Sequence, residues 1–208
     1  MQFRGDASDR SSTPVVGIDG SGVEANARLT SSAAVLLLIL LAAEGLTLPA
    51  IHALVRPHVY IGFALIPPVA LKVGSALYRF TRYYTGAPAY RLKGPPPPLL
   101  RMLGPVVVLA TVLLLASGVA LLFFSATWQH RMLTVHKASF VLWFAAMTVH
   151  VLGHIVETAR LAPRDWLPHS RRSLPRAAGR RWLVAASVLA GALVGAWGLG
   201  QLGGWVRA

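Results

Sequence analysis

The chain has 208 residues, of which 55% are apolar and only 13% charged. Soluble domains carry about 25% charged residues, so a single soluble core of ordinary composition is excluded and lipid must be the solvent for much of the chain. A net charge of +13 would argue for nucleic acid only if the basic residues shared a water-facing surface; they fall instead in loops between hydrophobic segments, which sets nucleic acid aside.

Residues 1–30 are polar, rich in Ser, Gly and Asp, and without apolar periodicity, so they read as a disordered tail. Five apolar runs follow, Ser31–Leu54, Val59–Leu77, Leu99–Phe124, Ala138–Val156 and Trp182–Leu202. Each is close to the ~20 residues a helix needs to cross ~30 Å of hydrocarbon. Helices are required, because open strands would leave backbone groups unpaired in lipid. Ala33–Ala43 has the length of a signal-peptide core, but the stretch before it is long and not notably basic and no small-x-small cleavage site follows, so it reads as a membrane helix. The expected fold is therefore all-α, a polytopic helical bundle. Its expected parts are a cytoplasmic tail (1–30), a four-helix core (31–160), a basic cytoplasmic loop (161–181) and a fifth helix with a short outer tail (182–208).

Lys and Arg set the orientation. The tail and the loops after the second and fourth runs hold fifteen of them, against four (Arg56, Arg131, Lys137 and Arg207) on the other side. The positive-inside rule then puts the N-terminus and both basic loops in the cytoplasm and the C-terminus outside. Pro49 and the pair Pro67–Pro68 lie inside apolar runs, where proline frees carbonyls and bends a helix. The segment Arg79–Lys93 mixes aromatic and basic residues and reads as an interfacial belt touching anionic lipid, with docking of a cytoplasmic partner as the alternative.

Ionisable groups inside a bilayer are costly and mark candidate functional residues. Glu44, His58, Lys72, His136, His150 and His154 qualify. His58 and His136 open the second and fourth runs at the outer boundary; Lys72 and His150 each lie 14 residues deeper, or ~21 Å at helical rise. Fourteen residues bring a helix back to within ~40° of its starting direction, so His136 and His150 project from nearly one face at two depths, with His154 competing for the deeper role. His150, His154 and Glu157 also share a face at a spacing that can bind a divalent metal, though such spacing is common by chance. Glu44 and Lys72 fall at similar depth on adjacent helices, as a buried pair or a proton path. With no cysteine, any redox cofactor would have to be held by histidine.

This layout resembles the di-haem cytochrome b membrane anchors, the gamma subunits of respiratory formate dehydrogenases and nickel-iron hydrogenases and their shorter bacterial relatives. The resemblance implies a four-helix cytochrome b-like core with an added fifth helix. It implies that His58 and His136 ligate the iron of an outer haem b, and that His150, or His154 in its place, belongs to an inner site. That inner site lacks the family's second ligand, because the start of the first helix, Asn26–Ser32, contains no histidine; one haem at most is expected. The implied function is a plasma-membrane electron-transfer subunit, not a complete enzyme by itself, passing electrons between a partner oxidoreductase and the quinone pool. The alternative is a cofactor-free integral membrane scaffold or a small transporter using Glu44 and Lys72.

Overall fold

The computed structural model describes residues 19–94, 97–123, 126–171 and 176–205; most of the expected tail, and parts of the basic loop and of the outer tail, lie outside the described residues. Helix α1 (Ser21–Gly45) begins ten residues before the first apolar run. The Asp19 carboxylate accepts the Ser21 backbone N–H at 2.8 Å and the Ser21 hydroxyl at 2.9 Å, which satisfies one of the free donors of a helix start. The polar first turns are held by ion pairs of Arg28 described below, a stabilisation that periodicity cannot register.

At its far end α1 stops at Gly45, and the chain turns through a 3-10 segment, Leu48–Ala50, with Pro49 in its first turn. Helix α2 (Ile51–Ala64) then runs back along α1. It is kinked at Leu54 (φ −107°, ψ 20°), three residues before Pro57, whose ring clashes with the carbonyl of the preceding turn. Helix α3 (Ile66–Tyr84) takes Pro67 and Pro68 in its first turn, where a missing N–H costs little. The pairing is antiparallel throughout: Asn26 Nδ2 donates to the Ser75 carbonyl at 3.2 Å, Lys72 Nζ to the Thr30 carbonyl at 3.0 Å, and Glu44 meets His58 at 3.0 Å. The 64 residues Ser21–Tyr84, the first of four stretches long and apolar enough to cross a membrane, thus form a hairpin with two arms.

The short α4 (Pro88–Lys93) ends at Gly94, whose φ of +73° is left-handed, a region open to glycine at no steric cost. Tyr90 on α4 donates to the Gly22 carbonyl at 3.3 Å, tying this loop to the start of α1. Helices α5 (Pro98–Phe123) and α6 (Ala126–Leu161) form a second antiparallel pair, in which Trp143 Nε1 donates to Thr111 Oγ1 at 2.9 Å. The 36 residues of α6 span ~54 Å, so it projects beyond ~30 Å of hydrocarbon. Its early start has a plain cause: Ala126–Lys137 contains neither Pro nor Gly, so nothing breaks the helix between water and lipid.

A 3-10 turn (Ala162–Asp165) and the short α7 (Pro168–Arg171) lead on to α8 (Ala177–Trp205). This fifth membrane arm, expected as an addition, lies along α2 and also touches α1, α3 and α5. Three glycines permit the approach: a Cβ on Gly191 would sit 2.5 Å from the Ala64 carbonyl oxygen, one on Gly195 2.8 Å from the Tyr60 carbonyl oxygen, and one on Gly198 2.6 Å from the Phe63 ring. Small residues one turn apart are the usual means of close helix contact in lipid. Among the described residues there is no strand, and large apolar side chains such as Leu109, Leu152 and Leu193 point outward. The molecule is a helical membrane bundle, as its composition requires.

Candidate functional site

Two polar clusters lie at opposite ends of the bundle. At the histidine end, α1, α2, α5 and α6 each bring polar groups inward. His58 Nδ1 lies 3.0 Å from Glu44 Oε1 and 2.9 Å from Thr47 Oγ1, and the Thr47 hydroxyl itself donates to the Glu44 carbonyl at 2.6 Å. The Thr47 proton being used, His58 carries its proton on Nδ1 and donates it to these oxygens. His136 Nδ1 lies 3.2 Å from the Leu114 carbonyl and 3.1 Å from Ser117 Oγ. A carbonyl only accepts, so this ring too is protonated on Nδ1. The two rings meet edge to face, with centroids 6.4 Å apart and planes at 85°. Gly118 makes room, since a Cβ there would approach His136 Cε1 to 3.1 Å. Both histidines lie inside helices that begin before the apolar runs do, His58 seven residues past the start of α2 at Ile51 and His136 ten past the start of α6 at Ala126.

The expected pairing of Glu44 with Lys72 does not form. Helix α1 ends at Gly45, nine residues short of the apolar run's end at Leu54, which puts Glu44 at the tip of the hairpin. Lys72 pairs instead with Thr30, 14 residues away along α1, or ~21 Å. Around Lys72, Ser75 Oγ donates to the Lys72 carbonyl at 2.9 Å and lies 2.8 Å from Thr30 Oγ1. His150 and His154 are neighbours on α6 with ring centroids 4.8 Å apart. His154 Nδ1 lies 3.8 Å from Glu157, which also meets Lys93 at 3.6 Å. His150 Nδ1 is buried with no hydrogen-bond partner.

The arginine end was not foreseen. Asp165, only 1% exposed, accepts Arg28 Nη1 at 3.4 Å, Arg180 Nη2 at 2.7 Å and Arg180 Nε. Arg28, 2% exposed, also donates to Glu24 at 2.6 Å, and Glu24 takes Arg164 at 3.2 Å. One carboxylate therefore joins the start of α1 to the start of α8. The signal in the sequence was that Asp165 is the single acidic residue after Glu157, in a segment crowded with arginine; counting charge for topology treated those arginines as solvated.

These features define a multi-pass helical membrane protein with polar groups paired inside the bundle at both ends. The family model of the Frag1/DRAM/Sfk1/Cwh43P N-terminal domain matches residues 60–201, and the chain belongs to that family. No curated protein and no solved structure gave a match. Membership of this family overturns the resemblance to cytochrome b membrane anchors, and with it the reading of the chain as a haem-bearing electron-transfer subunit between an oxidoreductase and quinone. The histidines do not restore that reading: the His58 and His136 rings approach each other, each held through Nδ1 by groups of this chain, but two inward imidazoles do not by themselves specify an iron porphyrin. Among the described residues no group of three or more His, Cys, Asp or Glu is placed to hold a metal ion, and His150, His154 and Glu157 do not converge as one.

Proposed function

We propose that this protein is an integral membrane scaffold that works without a cofactor, in the plasma membrane, with its N-terminus and two basic loops in the cytoplasm and its C-terminus outside. One observation carries the reading: the charged side chains within the hairpin are engaged locally, Glu44 with His58 and Lys72 with Thr30, and not aligned as a relay. A small transporter using Glu44 and Lys72 would need the two at one depth, where a proton or ion could pass between them. The basic side, with Arg82 6.0 Å from the Tyr90 ring and Arg101 5.8 Å from the Tyr84 ring, offers the surface through which a scaffold would hold anionic lipid or an acidic partner.

Two measurements test this. Proteoliposomes loaded with a pH-sensitive dye should show no more proton or alkali-cation flux than empty liposomes; flux that disappears in Lys72→Met would establish the transporter instead. Because the natural chain has no cysteine, single-cysteine variants report orientation cleanly. Leu92→Cys should be shielded from an impermeant maleimide in intact cells and Gln129→Cys labelled, and the reverse pattern would invert the orientation.

A further inference from the structure

Between α1, the turn after α6 and α8 lies an open groove of about 710 Å³, walled by Val35 and Ile39, by Pro163 and Trp166, and by Ala185 and Leu189. Ile39 and Leu189 are 63% and 64% exposed, so the groove opens sideways into the hydrocarbon. At Trp166 and Ala185 it meets a second hollow of about 320 Å³ whose walls include Arg181 and Trp182. The character changes at that junction from apolar to cationic. Arg181 Nε is buried without a hydrogen-bond partner, an uncompensated donor that calls for an acceptor. The nearest acidic side chain in sequence, Asp165, is occupied by Arg28 and Arg180. Trp166 and Trp182 are both exposed beside it, as tryptophans are at the level of lipid headgroups. From Ser32 to Ile39 the α1 wall runs seven residues, or ~10 Å from that level into the bilayer.

We propose that this groove is a binding site for one anionic phospholipid, with an acyl chain lying along Val35, Ile39 and Leu189 and the phosphate accepting from Arg181. The occupant is set by charge complementarity. An apolar chain fits the groove, a single negative head satisfies Arg181, and a zwitterionic head brings its own cation to a site that already has one. The site stands on this geometry and does not depend on the scaffold reading, which liposome flux decides separately.

The full chain, purified in a neutral maltoside detergent, should be titrated with dioleoylphosphatidylglycerol, with dioleoylphosphatidylcholine and with inorganic phosphate while the melting temperature is followed. The expected result is a saturable rise with phosphatidylglycerol and little change with the other two. Arg181→Gln should move the midpoint of that titration about tenfold higher, which corresponds to ~1.4 kcal/mol, and Arg131→Gln, exposed near the start of α6 and outside both hollows, should leave it in place. Ala185→Trp, which fills the junction of the two hollows, should abolish the response. If that variant does not fold, Leu189→Trp on the exposed rim serves the same purpose. A wild-type midpoint in Arg181→Gln, or an equal response to phosphatidylcholine, overturns the proposal. So does a response to phosphate alone as large as that to the lipid, since that would be an anion site without a chain.

Discussion

At the arginine end of the bundle one carboxylate is shared by guanidiniums from α1 and α8, and Arg28 and Asp165 are 137 residues apart in sequence. At the histidine end the imidazoles rest on nearer neighbours: His58 on Glu44 and Thr47, His136 on Leu114 and Ser117, none more than 22 residues away. The first arrangement uses full charges to fix which helices assemble; the second uses hydrogen bonds to fix how neighbouring helices rotate against each other. A buried charge that loses its partner costs several kcal/mol, whereas a net hydrogen bond is worth about 1 kcal/mol. The two ends should therefore respond very differently to truncation.

The largest effect is expected at Asp165. Asp165→Ala leaves Arg28 and Arg180 facing each other without their shared counter-charge and should lower stability by about 3–5 kcal/mol, read as the midpoint of unfolding in detergent. Replacing all three residues with apolar ones should recover much of that loss. A single variant that unfolds like the natural protein would mean that the arginine end does not hold the bundle together.

Next comes the seam that runs between the two ends. Gly191→Leu pushes a side chain into the Ala64 carbonyl and should cost about 1–3 kcal/mol, typical of overpacking. Gly200→Leu, where a Cβ would meet nothing within 4 Å, is the control and should cost little. Equal losses from the two would remove the close α2–α8 contact as an explanation for these glycines.

At the histidine end, Ser117→Ala should cost on the order of 1 kcal/mol. Its effect should largely vanish when His136 is already Ala, because the two share one hydrogen bond. Additivity in that cycle would separate them. The smallest coupling is expected between the ends: Glu44→Gln and Lys72→Met, read in the same unfolding assay, should add within about 0.3–0.5 kcal/mol, as independent sites do, while Glu44→Gln and His58→Ala should not. A Glu44–Lys72 coupling above 1 kcal/mol would restore the direct pair that the hairpin geometry separates.

Composition and apolar run length alone determined that this chain is a helical membrane bundle, because a segment of ~20 apolar residues has no other stable state in lipid. The same reading placed His58 and His136 at one boundary, opening the second and fourth runs; that the two form a pair was implied only by the resemblance to cytochrome b anchors. It placed Glu44 beside Lys72 because the first apolar run continues past Gly45 to Leu54, and hydropathy does not mark where a helix turns back; the Pro49 turn and the return of α2 along α1 decided that. It counted Arg28 with the tail and Arg180 with the basic loop, because a charge count carries no information about which segments touch. Only the tertiary structure brings the start of α1 and the start of α8 around Asp165, and only there does the low local dielectric turn Arg28, Asp165 and Arg180 into the tie between the first helix and the last.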